Sequence, residues 1–178
     1  YFESPRARRE GLANELKNYT QTQFRILDMM AANPRVLVHG PAGTGKTLLA
    51  MESARRMADE IAQAGRQGKT LFVCFNRNLA AWILKEMSGL TDRVHVTTLH
   101  RLMMDVCGIN HIVPDSVSED YWAGSLPRKA GKIVQSGTRP EWMFDALVMD
   151  EAQDLMVASY LDFLGKCLVG GLEQGPWR

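Results

Sequence analysis

The sequence predicts an α/β fold in which parallel strands form one sheet with helices on both faces. Four short apolar runs, at residues 35–39, 70–75, 93–97 and 145–149, are separated by longer segments with helical periodicity. The second run is apolar throughout, which is typical of a strand buried on both faces. Alternating strands and helices of this kind indicate a parallel sheet.

The most specific motif lies between the first run and the first helix. Residues 40–47 read GPAGTGKT and match the G-x-x-x-x-G-K-[ST] pattern of a phosphate-binding loop. Its glycines let backbone N–H groups turn toward a phosphate, and the following helix, predicted over 47–64, adds its positive end. We expect Lys46 to reach the β- and γ-phosphates of ATP and Thr47 to bind Mg²⁺. The alternative, a glycine-rich turn without a ligand, fits poorly with a strand before the motif and a helix after it. The predicted nucleotide-binding residues of the loop are Gly40, Pro41, Ala42, Gly43, Thr44, Gly45, Lys46 and Thr47.

A second chemical group follows the fourth apolar run, where Asp150 and Glu151 stand side by side. A strand that ends in two carboxylates suits Mg²⁺–nucleotide chemistry, because one can bind the metal and the other can polarise the attacking water. We assign the first role to Asp150 and the second to Glu151. An acidic pair after a strand is often only a polar loop, but a phosphate loop upstream strengthens the functional interpretation.

Polar residues also follow the second and third runs. Asn76 and Arg77 come after one, and Thr98 and His100 come after the other. Ligands of parallel sheets bind at the carboxyl ends of strands, so these positions are candidates for a binding site. The structural alternatives are helix capping by Asn76 or Asn78 and an ordinary structural role for the histidine.

One further candidate lies before the phosphate loop, in a helix predicted over 20–30. Gln23 can present its amide to an adenine edge, which needs one donor and one acceptor. Thr20 and Gln23 also fit a capping box at the start of this helix. The residues alone favour neither interpretation.

Length and composition place these motifs in a single globular domain of 178 residues. We expect a basic lead-in over 1–18 without an assigned role and an ATPase domain over 19–178. Within it, 108–140 is predicted to be an insertion of short helices and loops. This insertion holds Tyr121, Trp122 and a basic cluster that could touch a polyanion or simply be solvated.

Charge and cysteine content narrow the class of protein. The net charge is +1, so a nucleic-acid partner must be held by local groups rather than by a basic whole-domain field. The 3 cysteines are far apart and form no zinc-binding pattern. Without a run long enough to span a membrane, we expect a cytoplasmic protein with no membrane partner.

Taken together, the motifs resemble the early motifs of superfamily 1 helicases of the UvrD/Rep type. The resemblance rests on Gln23 in YTQTQ, the loop 40–47, the segment FNRNLA at 75–80, TTLH at 97–100 and DEAQD at 150–154. The last string is the most specific, since related families usually vary after the Asp-Glu pair. The resemblance covers most of the chain.

This resemblance implies an ATP-driven motor on single-stranded DNA, with RNA left open as the strand. The chain would be the first of two RecA-like lobes that open and close as ATP is hydrolysed. Gln23 would contact adenine, and the loop would hold phosphates and Mg²⁺. Asp150 and Glu151 would run hydrolysis, and Gln153 would sense the γ-phosphate. The implied contacts to the strand's phosphates and sugars are Asn76, Arg77, Thr98 and His100.

The chain also departs from the family. The next motif of such helicases lies on a strand that we expect to begin just after residue 178, so the P-loop NTPase sheet is expected to be incomplete at its C-terminal end. We expect the second lobe and its arginines to lie outside this chain, which predicts near-background turnover by it. The slot between the phosphate-loop strand and the Asp-Glu strand should stay open or be filled by another segment.

Two other functions remain open at this point. P-loop proteins such as the PhoH-like group share the same loop, so the chain could be a nucleotide-dependent switch. It could also be the ATPase portion of a nuclease-associated protein that does not unwind DNA.

Overall fold

The computed structural model describes residue 25 and residues 27–29, 32–110 and 118–178. The predicted adenine contact Gln23 and the lead-in 1–18 therefore lie outside the described residues. Residues 25 and 27–29 are helical, and Leu27 is buried.

Three parallel strands form one sheet in the order β2-β1-β3. They are β1 (Thr70–Cys74), β2 (Val94–Thr98) and β3 (Ala146–Met149). Phe72 at the centre of β1 lies opposite Val96 on one side and Val148 on the other. Every residue of β1 is buried, because this strand has neighbours on both edges and helices on both faces. The predicted parallel α/β fold is confirmed.

The helix predicted over 47–64 is present, shifted by one residue, at Lys46–Gln63. Three short 3-10 turns and one π-helical turn, Tyr121–Ser125, complete the regular structure of the described residues. The α-helices are α1 (Lys46–Gln63), α2 (Arg77–Glu86), α3 (Leu99–Val106), α4 (Leu126–Gln135), α5 (Ala158–Cys167) and α6 (Gly171–Gln174). None of the helices in the described ranges combines the length and the apolar character that a membrane crossing needs.

Two hydrophobic clusters cover the two faces of the sheet. Phe72 packs with residues of α1 and α2 on one face. Leu71 and Val73 point to the other face and pack with α3, α4 and α5. Neighbouring strand residues separate in this way because side chains alternate across a strand. The arrangement leaves the carboxyl ends of the strands as one common edge.

The first predicted strand, 35–39, does not form a regular strand. Arg35 makes an isolated bridge to Trp177, and the residues from 36 to the loop have no strand assignment. Leu37 is 69% exposed, although its sequence context reads as a buried strand. The prediction was wrong because a strand needs a paired neighbour along its length, and this segment has one only at its start.

That neighbour is the segment 176–178, which lies between residues 34–36 and β3. Trp177 bridges Arg35 on one side and Leu147 on the other. Residues 176–178 therefore fill the slot between the phosphate-loop segment and β3. The phosphate-loop segment and β3 are not directly paired. This agrees with the expectation that the slot would stay open or be filled by another segment. The hydrogen bonds of the segment run from Val36 N to Trp177 O (3.1 Å), Trp177 N to Pro34 O (2.8 Å), Leu147 N to Pro176 O (3.1 Å), Arg178 N to Leu147 O (2.9 Å) and Met149 N to Arg178 O (2.9 Å).

The predicted insertion contributes to the core rather than only to the surface. Leu126, Ala130 and Val134 form the buried side of α4, and they pack against α3 and α5. Residues 111–117, in the same predicted insertion, are outside the described ranges.

Candidate nucleotide-binding and hydrolysis site

The phosphate loop is shaped by two glycines in the left-handed region. Gly43 has φ 78° and Gly45 has φ 79°, values that residues with a Cβ rarely adopt. The Thr44 hydroxyl donates to the Pro41 carbonyl over 2.9 Å and closes the turn. The first turn of α1 carries no acidic residue, so its positive end is available to an anion.

Lys46 lies folded back into this loop. Its Nζ donates to the carbonyl oxygens of Gly40 (2.9 Å) and Pro41 (2.7 Å). These bonds hold the ammonium group at the mouth of the loop, where a phosphate group would be attracted by its charge. The position fits the predicted role of Lys46.

Asp150 is buried at the end of β3, with 5% of its surface exposed. Its N–H donates to the Val73 carbonyl (3.0 Å), and its Oδ1 accepts from the Glu151 N–H (3.0 Å). Its Oδ2 is buried and has no hydrogen-bond partner of normal geometry among the described residues. Such an oxygen is costly to leave unpaired. A divalent cation would satisfy it, so the donor chemistry fits Mg²⁺.

Groups of the phosphate loop and of the acidic pair act on the pKa of Asp150. Burial raises the pKa of Asp150, and the negative charge of Glu151 adds to the rise. The nearby Thr47 hydroxyl and the positive charge of Lys46 act in the opposite direction and lower this pKa. Lys46 and Asp150 also line one cavity, as a shared phosphate and metal site requires.

Glu151 is held in an unusual backbone conformation. Among the described residues it is the one non-glycine position with positive φ, at 55°. Such a conformation costs of order 1–3 kcal/mol and is typical of functional sites. Gln153 donates through Nε2 to Glu151 Oε2 over 2.6 Å. The residue expected to sense the γ-phosphate therefore contacts the residue expected to polarise the attacking water.

A cavity of about 450 Å³ joins the loop to the acidic pair. Its polar wall includes Lys46, Asp150, Glu151 and Gln153. Trp177 and Arg178 also line it, and neither is among the predicted site residues. The sequence gives little indication that these two residues line a site, because the glycine-rich segment before Trp177 is typical of a surface turn.

Two of the predicted nucleic-acid contacts serve as helix caps. The Asn76 side chain accepts from the N–H groups of Asn78 (2.8 Å) and Leu79 (3.2 Å). Thr98 is 7% exposed, and its hydroxyl accepts from the N–H of Arg101 over 3.4 Å. Asn76 therefore has the structural role that the sequence left open, capping of α2.

Arg77 and His100 lie at the same edge of the sheet. Arg77 is exposed at the start of α2. His100 is half-buried, and its Nε2 lies 3.1 Å from the Tyr160 hydroxyl. Burial lowers the pKa of His100, and the positive charge of Arg77 lowers it further. Both effects favour the neutral form of the ring.

We expect replacement of Asp150 by asparagine to change how stability depends on pH. Folding raises the Asp150 pKa above its ordinary value of 3.8, so the folded state binds its proton more tightly than the unfolded state. The wild type must then lose stability relative to D150N as pH rises from about 3.8 through the raised pKa, and the difference stays constant above it. Thermal unfolding at about five pH values, from roughly pH 4 to pH 8, measures this change.

The matched control is Asp154→Asn, which removes an exposed carboxylate four positions further along the chain. Comparing the two variants with the wild type separates the effect of the buried carboxylate from that of an exposed one. A difference between D150N and the wild type that does not vary with pH would contradict the prediction.

The family comparison agrees with this geometry. The AAA_19 family model, described as an AAA domain, matches residues 23–171. No curated protein and no solved structure matches the chain significantly. The matched range contains the phosphate loop, all three strands and the acidic pair. The chain therefore belongs to the AAA domain family of P-loop ATPases.

Proposed function

We propose that the chain is the ATP-binding lobe of a superfamily 1 helicase or translocase that moves along single-stranded DNA as ATP is hydrolysed. One observation carries the proposal. The acidic pair at the end of β3, which lines one cavity with Lys46, and the exposed Arg77 after β1 lie at the same edge of one parallel sheet, on adjacent strands. A motor needs its nucleotide site and its strand contacts to be coupled over a short distance.

The residues divide the chemistry of hydrolysis as follows. The loop N–H groups and Lys46 bind and neutralise the phosphates. Thr47 and Asp150 are the residues that would hold Mg²⁺, which would neutralise charge on the phosphate oxygens. Glu151 orients the attacking water and accepts its proton. Gln153, through its 2.6 Å hydrogen bond, keeps the Glu151 carboxylate in position.

The backbone offers a short connection between hydrolysis and the strand. The Asp150 N–H donates to the Val73 carbonyl over 3.0 Å, and Arg77 follows Val73 by four positions. A shift of the acidic pair would move the end of β1 and the first turn of α2. Arginines of a second RecA-like lobe are proposed to complete the charge stabilisation around the γ-phosphate.

Binding of a labelled oligothymidine tests the strand contact. We expect Arg77→Ala to weaken binding by this chain and to reduce the slope of log affinity against log salt by about 1, since one phosphate contact is lost. Fluorescence anisotropy at several salt concentrations, with and without a non-hydrolysable ATP analogue and Mg²⁺, measures both effects.

Arg66→Ala is the matched control. Arg66 is also exposed, but it pairs with Asp145 (3.2 Å) just before β3, at the opposite edge of the sheet. Equal losses in the two variants, or a wild type that binds no oligonucleotide, would reject the motor function. A nucleotide-dependent switch would then be the better explanation of the site.

A further inference from the structure

An ion pair joins α1 to the helix before the phosphate loop. The described residues of this upstream helix are 25 and 27–29. Arg56 Nη1 donates to Asp28 Oδ1 over 2.6 Å. Leu27, next to Asp28, is buried, whereas Asp28 is exposed. One side of the upstream helix is therefore packed, and Asp28 reaches from it to the guanidinium group on α1.

The guanidinium group of Arg56 is fixed from within α1 as well. Its Nε donates to Glu52 Oε1 over 2.8 Å, one turn earlier on the helix. Burial acts to raise the pKa of Glu52, but hydrogen bonds from Arg55 and Arg56 outweigh it and lower this pKa. Glu52 is therefore a firm anionic partner. Because a guanidinium group is planar, holding one edge of it fixes the direction of the N–H groups that reach Asp28.

Stability alone does not explain this ion pair. The Arg56 side chain is 29% exposed and that of Asp28 is 66% exposed. Ion pairs with such exposure contribute little to the free energy of unfolding, because water screens them. The pair does connect two separate elements, unlike the pairs of Arg55, whose partners Glu52 and Asp59 both lie on α1. Its main effect is therefore on the orientation of the upstream helix.

The ion pair lies at the end of the side of α1 that lines the nucleotide cavity. Lys46, Leu49 and Ser53 line this cavity. Their spacing of three and four positions places them on one side of the helix. Arg56 follows Ser53 by three positions and continues this side. The upstream helix is thus attached to α1 beside the wall of the cavity.

We propose that Arg56 is a positioning residue for recognition of the nucleotide base, because its ion pair with Asp28 sets the place of the upstream helix on α1. This inference rests on the proposed function, since it concerns which nucleotide the same site selects. The predicted adenine contact Gln23 precedes Asp28 by five positions in the sequence. An amide pairs with N6 and N7 of adenine, whereas guanine presents two acceptors at that edge. Displacement of the upstream helix therefore costs affinity for ATP rather than for GTP.

Titration calorimetry with non-hydrolysable analogues of ATP and GTP, each with Mg²⁺, tests this inference. We expect Arg56→Ala and Asp28→Asn each to weaken binding of the ATP analogue about fivefold, as the loss of one hydrogen bond to the base implies. Binding of the GTP analogue should change less than about twofold, because its phosphates meet the same loop. The double variant should lose no more than either single variant, since both remove the same pair.

The matched control is Arg55→Ala, which removes the neighbouring guanidinium group. Its side chain is 46% exposed and makes its ion pairs within α1. This variant should leave the ratio of the two affinities within about twofold of the wild type. Arg56→Lys keeps a cation opposite Asp28 and should retain most of the preference for the ATP analogue. Asp28 is exposed, so D28N also separates positioning from a loss of folding.

A second cycle tests whether the effect of Arg56 passes through the base contact. Gln23→Ala removes the predicted contact itself and should lower the ratio of the two affinities. In that background Arg56→Ala should change the ratio no further, because the group that Arg56 positions is gone. An equal effect of R56A with and without Gln23 would show that Arg56 acts by another route, and the inference would be wrong.

The outcomes distinguish this inference from the proposed function. If R56A and D28N weaken both analogues equally, or if R55A lowers the ratio as much as R56A, Arg56 does not position a base contact and the ATP site stands. A wild type that binds both analogues equally also overturns the inference alone. If the wild type binds neither analogue, the nucleotide site of the proposed function is overturned with it.

Discussion

Replacing Lys46 with alanine is expected to weaken ATP binding about 100-fold. The ammonium group lies at the mouth of the phosphate loop, and it would contact two phosphates of the nucleotide. Hydrogen bonds to charged groups contribute about 1.5–3 kcal/mol each, so losing roughly 3 kcal/mol corresponds to a hundredfold change. Titration calorimetry with a non-hydrolysable ATP analogue and Mg²⁺ measures the affinity directly.

The matched control is Lys85→Ala, which removes an exposed cation in the last turn of α2. It should leave ATP affinity within about twofold of the wild type, because surface charges far from a site are screened. If K46A binds ATP within about threefold of the wild-type affinity, the loop binds ATP without this charge.

The sheet was predictable where strands are buried on both faces. An uninterrupted apolar run such as 70–75 reports burial directly, and β1 occupies nearly that range. The phosphate loop was predictable for a different reason, because each of its residues has a local task. The left-handed glycines and the lysine that folds back onto the loop depend on neighbouring residues alone. The local sequence is therefore enough to predict the loop.

The segment before the loop was not predictable, because its structure depends on residues far along the chain. Residues 35–39 have strong strand character, but pairing is available only opposite Trp177. Nothing local in either segment shows that they meet. The same holds for Tyr160 and His100, which are distant in sequence and meet because α3 and α5 pack on one face.

For polar residues at strand ends, the sequence predicts two possible roles and does not choose between them. Asn76 at the start of a helix can cap it or contact a ligand, and the sequence signal is the same for both. Its two hydrogen bonds to N–H groups of α2 favour capping. Arg77 has no such local task among the described contacts, and the functional interpretation therefore rests on it rather than on Asn76.

Replacing Gly175 with alanine is expected to destabilise the fold by about 3 kcal/mol, near the upper end for overpacking. A Cβ there would lie 2.5 Å from the Val169 carbonyl oxygen, 2.6 Å from Leu168 Cγ and 2.7 Å from the Gly171 carbonyl oxygen. Two of these atoms belong to the backbone, so relief requires the turn itself to move. In a chain of this size the change lowers Tm by roughly 6–12 °C, which differential scanning calorimetry measures.

Gly175 also connects α6 to the segment that pairs with both β3 and residues 34–36. A displaced turn would loosen Trp177 and with it the start of the phosphate-loop segment, so G175A should also weaken ATP binding. Gly89→Ala is the control, because a Cβ at Gly89 meets nothing within 4 Å and its φ is not positive. If G175A and G89A unfold at the same temperature, the turn tolerates a side chain. If G175A unfolds earlier but binds ATP like the wild type, the phosphate loop holds its shape without the pairing to Trp177.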